Sequence, residues 1–272
     1  MSDRASTIAR MGALFRRDLR LELSYHFQFA MRVFQMFMFT TSLFFVSKLI
    51  KNPPELEPYG GRYFEFVVIG MIVASFVSLG IGSFTTSISD EQRAGTLEVV
   101  LASPTGLATF LAGSFLKPLL FTVVQMALYL TTAIVIFRAH IPLSGLPLAV
   151  PLLALMVLTF CALGVLSASF IVLTKRGDPI SLIAIQAGTL FAGVLFPTSV
   201  LPGPLEAVTR FVPAYYGLEG LRAVLLTRAG LGDVLGDLFW LACFVVVLVP
   251  MAVWTFSQAI RAARVTGTLG NY

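Results

Sequence analysis

The chain has 272 residues, of which 57% are hydrophobic and only 12% charged. Soluble domains carry roughly 25% charged residues, so too few polar side chains remain to cover a soluble surface of this size, and the same apolar content excludes a disordered chain. What remains is an all-α integral membrane protein. Its formal charge of +5 reads as orientation in a bilayer, not as affinity for nucleic acid, because Lys and Arg gather on the cytoplasmic side of membranes.

Residues 1–26 come first in chain order. Ile8, Met11, Leu14, Phe15, Leu19 and Leu23 recur near helical spacing, with Arg10, Arg16, Arg17 and Arg20 on the other faces. This predicts a basic amphipathic helix in the membrane interface; a solvated lead-in is the alternative. The first long apolar run starts only near Phe27, too late and too long for a cleaved signal peptide. Six runs approach the length of about 20 apolar residues that a spanning helix needs: 27–48, 63–88, 107–137 with a break near Lys117-Pro118, 146–173, 180–196 and 238–260. Six spans put both termini on one side. With the N-terminus inside, most of the 19 Lys and Arg residues fall in the short inner segments, so both termini are expected in the cytoplasm. The expected organisation is one domain over 1–272: spans one to three in 27–137, spans four to six in 146–260 with an outer segment 197–236, and a tail 261–272.

The inner loop after the second span runs from Ser89 to Pro104. It is too charged to span. Leu97, Val100 and Leu101 share one helical face, Glu91 and Glu98 lie off it, and Pro104 ends the helix because proline cannot continue the hydrogen-bond ladder. A short helix over 90–103, parallel to the membrane, is predicted; from the residues alone it either offers polar groups to a partner or faces lipid. In the outer segment, Pro197, Pro202, Pro204 and Pro213 divide the chain into short pieces. Glu206 and Arg210 stand at i,i+4 and Glu219 and Arg222 at i,i+3, so each pair can meet. Charge at membrane depth is costly unless paired or wet, and irregular backbone there must be buried in protein or line a cavity. A re-entrant hairpin capping an outer gate meets both conditions; a surface loop is the alternative.

Inside the spans polar residues are few: Ser75, Ser78, Ser83, Thr85 and Thr86 in the second, Gln125 in the third, Ser167 and Ser169 in the fourth, Gln186 in the fifth. Packing explains most of them. Phe34, Phe37, Phe39, Phe44 and Phe45 crowd the first span, facing lipid, a partner helix or a greasy substrate. Cys161 and Cys243 sit in apolar runs as small hydrophobes, and His26 and His140 are isolated, so no metal site is expected. The sole acid near a span interior is Glu65.

Glu91-x-Arg93-x-Gly95-Thr96-Leu97-Glu98 followed by Leu101-Ala102-Ser103-Pro104 resembles the loop after the second span in permeases of the ABC type-2 exporter class. Phe196-Pro197, Leu201-Pro202-x-x-Leu205, Pro213 and Leu218-Glu219-x-Leu221-Arg222 resemble the family's outer segment between its last two spans, and Lys175-Arg176-Gly177-Asp178-Pro179 is a weaker third match. The resemblance covers nearly the whole chain. It implies six spans, an N-terminal interfacial helix, a coupling helix contacting an ATPase through Asp90, Glu91, Arg93, Gly95, Thr96, Leu97 and Glu98, and an extracellular re-entrant hairpin whose gate includes Pro197, Pro202, Pro213, Glu219 and Arg222. The chain lacks Gly-x-x-x-x-Gly-Lys-Ser/Thr, so no phosphate-cradling loop is expected. The resemblance therefore implies a permease that is not itself an enzyme. It binds no cofactor, while two ATPase subunits use ATP and Mg. A second permease chain, as a homodimer, completes the unit in the plasma (bacterial inner) membrane. The cargo is expected to be amphipathic, lipid-linked or drug-like; a polysaccharide or glycolipid is the alternative. A non-transporting anchor and a secondary carrier are the competing classes. A carrier calls for repeats and broken helices at the midplane, of which only the Lys117-Pro118 break is seen.

Overall fold

A computed structural model describes residues 26–50, 53–95, 107–174 and 178–265. The described residues form helices and no strand: α1 His26–Leu49, α2 Tyr63–Arg93, α3 Leu107–Thr131, α4 Leu146–Thr174, α5 Pro179–Phe191, α6 Gly203–Thr209, α7 Pro213–Leu226 and α8 Leu231–Val265. A 3₁₀ segment, Pro54–Tyr59, joins α1 to α2. Five stretches are long and apolar enough to cross a membrane, within α1, α2, α3, α4 and α8. The predicted interfacial helix of 1–26 lies outside the described residues, except for His26.

The helices run up and down between two ends. One end gathers Tyr59, His140 and the α6–α7 hairpin; the opposite end gathers Asp90, Arg93 and Asp178. α2 is the central rod, with Val67, Ile69, Val73, Val77 and Ile81 fully enclosed. It crosses α4 at two glycines. A Cβ on Gly80 would sit 2.5 Å from the Phe160 Cβ, and one on Gly164 would sit 2.5 Å from the Gly80 carbonyl oxygen. The two backbones therefore touch, which is how helices gain van der Waals contact where lipid removes the hydrophobic drive. Leu152, Met156 and Phe160 of α4 and Leu218, Leu221 and Val224 of α7 close the main core around α2. A second cluster at the opposite end joins Phe84 and Ile88 to Ile171, Val172, Phe256 and Ile260. α8 turns Phe239, Val246, Val247 and Trp254 outward, the side chains expected against lipid.

Three boundaries differ from the sequence reading. α3 passes through Pro118 without ending, since a proline removes one ladder bond while neighbouring helices keep the turn in place. Its irregularity lies further on, in a π turn over Thr132–Ile136. α2 does not stop at 88 but continues to Arg93. The polar residues Asp90 to Arg93 are therefore its last turn, not the start of a separate helix over 90–103. The fifth run, expected over 180–196, is a helix of 13 residues ending at Phe191. At 1.5 Å per residue it spans about 20 Å, short of the roughly 30 Å hydrocarbon core.

Candidate functional site

α5 starts and stops by design. Asp178 caps it, accepting from the Ser181 backbone N–H at 3.0 Å, with Pro179 in the first turn. The Ser167 hydroxyl donates to the same carboxylate and Ser181 Oγ lies 3.1 Å from Ser167 Oγ, so α4 fixes the entry of α5. At the other end Gly193 adopts φ +73°. Its N–H donates to Leu190 O at 3.1 Å, and the Val194 N–H to Thr189 O at 3.3 Å. This is a Schellman closure, in which the left-handed glycine turns the chain out of the helix.

The turn leaves the Gly193 and Val194 carbonyls pointing away at membrane depth, where an unsatisfied acceptor costs several kcal/mol. Arg222 answers them. Its Nη2 donates to Gly193 O at 2.9 Å, to Val194 O at 3.2 Å and to Phe66 O on α2 at 3.3 Å. The residue is 0% exposed. The guanidinium carbon stands 3.3 Å from the Phe66 ring centroid and 5.6 Å from that of Tyr59, so aromatic faces compensate the Nε and Nη1 groups, which have no hydrogen-bond partner. α2 admits this arrangement only because residue 70 is glycine: a Cβ there would lie 2.3 Å from Val194 O.

The predicted partner of Arg222 is present in a supporting place. Glu219 Oε1 is 3.8 Å from Arg222 Nη1. The Tyr59 hydroxyl donates to both Glu219 oxygens, at 3.0 and 2.9 Å. Burial first, then the negative charge of Glu219, push the Tyr59 phenol above its ordinary range, so it stays a donor. The segment between α1 and α2 is thereby tied to the hairpin.

The prolines act as expected of their chemistry. Pro197 precedes the short 3₁₀ turn Thr198–Val200. Pro202 accepts at its carbonyl from the Leu205 and Glu206 N–H groups and so opens α6. Pro213 is the first residue of α7 and is buried. The other predicted pair does not meet: Glu206 and Arg210 are both exposed, and among the described residues no ion pair joins them. The Arg210 carbonyl instead accepts from the Tyr216 hydroxyl at 2.9 Å.

Of the expected coupling residues, the structure describes Asp90, Glu91, Arg93 and Gly95. Thr96, Leu97 and Glu98 lie outside the described residues. Asp90 and Arg93 are exposed on the last turn of α2. Gly95 has φ +69°, and a Cβ there would meet nothing within 4 Å. Its role is to end α2 in a left-handed turn, not to allow close approach. Gln92, not singled out in the sequence, is buried between the exposed pair and donates from Nε2 to Ile171 O at 3.4 Å. It fastens this end of α2 to α4.

Residues 48–254 match the family model of the ABC-2 family transporter protein. No curated protein matches the chain in sequence. The match spans most of the chain, and the chain belongs to the ABC-2 transporter family as a multi-pass membrane permease subunit.

Proposed function

We propose that the chain is the membrane half of an ATP-driven exporter, moving an amphipathic, lipid-linked or drug-like molecule out of the cytoplasm or its inner leaflet. The working unit pairs two copies of this permease with two ATPase subunits, which hold the ATP and Mg. The observation that carries the reading is the Arg222 clamp. A buried cation and irregular backbone at membrane depth are expensive, and where they occur they mark function. Here they hold a hairpin above a helix that stops short, the arrangement of a cap over a passage.

In this reading the Asp90 end faces the cytoplasm, as the distribution of Lys and Arg favours, and the hairpin end faces out. Asp90, Glu91 and Arg93 meet the ATPase. Closure of the ATPase pair pushes on the end of α2, and because α2 supplies Phe66 and the bare backbone at Gly70, the push reaches the carbonyls under Arg222. Export is then the parting of the clamp. The test is reconstitution with the cognate ATPase in nanodiscs. ATPase capture together with hydrolysis that rises in the presence of the permease agrees with the reading. A permease that captures no ATPase behaves as an anchor or carrier and defeats it.

A further inference from the structure

α1 leans on the bundle through one half only. Leu43 and Phe44 pack against the core, and the Phe44 ring stacks on Phe137 at 4.5 Å. Its other half stands away and leaves a groove of about 990 Å³ between α1, α2 and α3. The α2 wall of the groove is a ladder of hydroxyls, from Ser75 through Ser78, Ser83 and Thr86 to Ser87, spaced at helical intervals. α3 faces it with Lys117 and Gln125, and α1 with Arg32. Against these two cations the lining sets one carboxylate, Asp90.

Ser83 carries the argument furthest. Hydroxyls in apolar helices ordinarily donate back to the preceding turn, as Thr40, Ser75, Thr159 and Ser169 do here at 2.8–2.9 Å. Ser83 is 8% exposed, lines the groove, and its Oγ has no hydrogen-bond partner. A buried hydroxyl left unsatisfied costs about 1–3 kcal/mol, a cost that a bound polar group removes. Lys117 lies within the α3 stretch long enough to cross the membrane, where ionisable side chains mark pathways.

Beside this polar groove lies a second cavity of about 570 Å³ between α1 and α3. Its walls are Val33, Phe34, Phe37, Leu128 and Ile136, and Tyr129 borders both spaces. A polar, net-cationic chamber thus adjoins an apolar one across a single side chain. We propose that the two cavities together bind an amphiphile with an anionic head, phosphate or carboxylate: the head between Arg32 and Lys117 with Ser83 donating to it, the hydrocarbon tail along Phe34 and Phe37. This deepens the export reading and rests on it only for the claim that the bound molecule is cargo.

The experiment uses the full chain in nanodiscs and two photoactivatable probes with identical acyl chains, a phosphatidic acid and a diacylglycerol. Phosphatidic acid is expected to label peptides of α1 and α3 around 33–37 and 128–136, and diacylglycerol far less. Arg32→Gln with Lys117→Gln should lower phosphatidic acid labelling about tenfold, and Ser83→Ala about threefold. Arg32→Lys with Lys117→Arg should restore most of it, which excludes misfolding as the cause. Equal labelling by the two probes, or an unchanged double variant, overturns the proposal. Excess inorganic phosphate that abolishes labelling would make free phosphate the ligand and overturn it as well. ATPase capture is measured on the same samples. Its failure defeats the exporter reading and leaves the labelling result standing.

Discussion

Replacing Arg222 by Met removes the donor that the Gly193 and Val194 carbonyls share, while Phe66 O keeps its place in the α2 ladder. Two buried acceptors left unsatisfied cost about 1–3 kcal/mol each. Glu219 loses its cation, and breaking a buried pair from one side costs about 3–5 kcal/mol. Because the Glu219 side chain is 21% exposed and keeps the Tyr59 hydroxyl, only a fraction of that applies. Removing the desolvation of the guanidinium returns part of the total, so a net loss of about 3–6 kcal/mol is expected. At about 2–4 °C per kcal/mol for a chain of this size, Arg222→Met should melt about 10 °C below the wild type. Arg222→Lys keeps the charge but loses the fork and the stacking on Phe66, and should fall in between. Thermal unfolding in detergent measures the order, and thiol labelling of a cysteine at Leu195 reports whether the hairpin has lifted. Glu219→Ala alone should be milder than the double variant with Arg222→Met, because Arg222 still holds three carbonyls when Glu219 is gone. An Arg222→Met protein that melts within about 2 °C of the wild type, with Leu195 still protected, would refute the clamp.

Gly70→Ala places a methyl 2.3 Å from Val194 O and should destabilise by about 1–3 kcal/mol, read in the same melt; a neutral outcome means that the α2–α5 approach is looser than described. Arg93→Glu reverses an exposed charge without touching the core, so insertion and melting should be unchanged while capture of the ATPase falls, since like charges at such an interface cost several kcal/mol; normal capture and turnover would leave this turn merely interfacial. Cysteines at Ser2 and Gly203 should react with an impermeant thiol reagent from opposite sides of the membrane, position 2 only from within; labelling of position 2 in intact cells would invert the orientation.

Much of the architecture was readable from runs of apolar residues. The starts of α2 at Tyr63 and α4 at Leu146 coincide with the expected spans, because hydropathy changes abruptly there. α5 was not readable in the same way. Val194-Leu195-Phe196 continue the apolar composition past the true end of the helix, and composition does not record which carbonyls lose their donors. The one local signal was Gly193 four residues before Pro197, a left-handed stop followed by a residue that cannot rejoin a helix. Likewise the i,i+3 spacing found Glu219 beside Arg222, but the contacts that matter more lie 156, 29 and 28 residues away. Only the fold brings them together. Gln92 was missed because its neighbours carry charge, and charge draws the eye to a surface role while the buried amide does the fastening.

A single nitrogen of Arg222 serves carbonyls on α2 and beyond α5 while riding on α7. Contacts of 2.9–3.3 Å tolerate only a few tenths of an ångström before they weaken. The hairpin therefore cannot slide away by degrees and shed them one by one. It behaves as a catch rather than a spring, with a seated station and a released one and little between. In a membrane device such a part sets a threshold: small fluctuations of α2 leave the seat undisturbed, and only a displacement large enough to break all three contacts together changes what the far end of the molecule does.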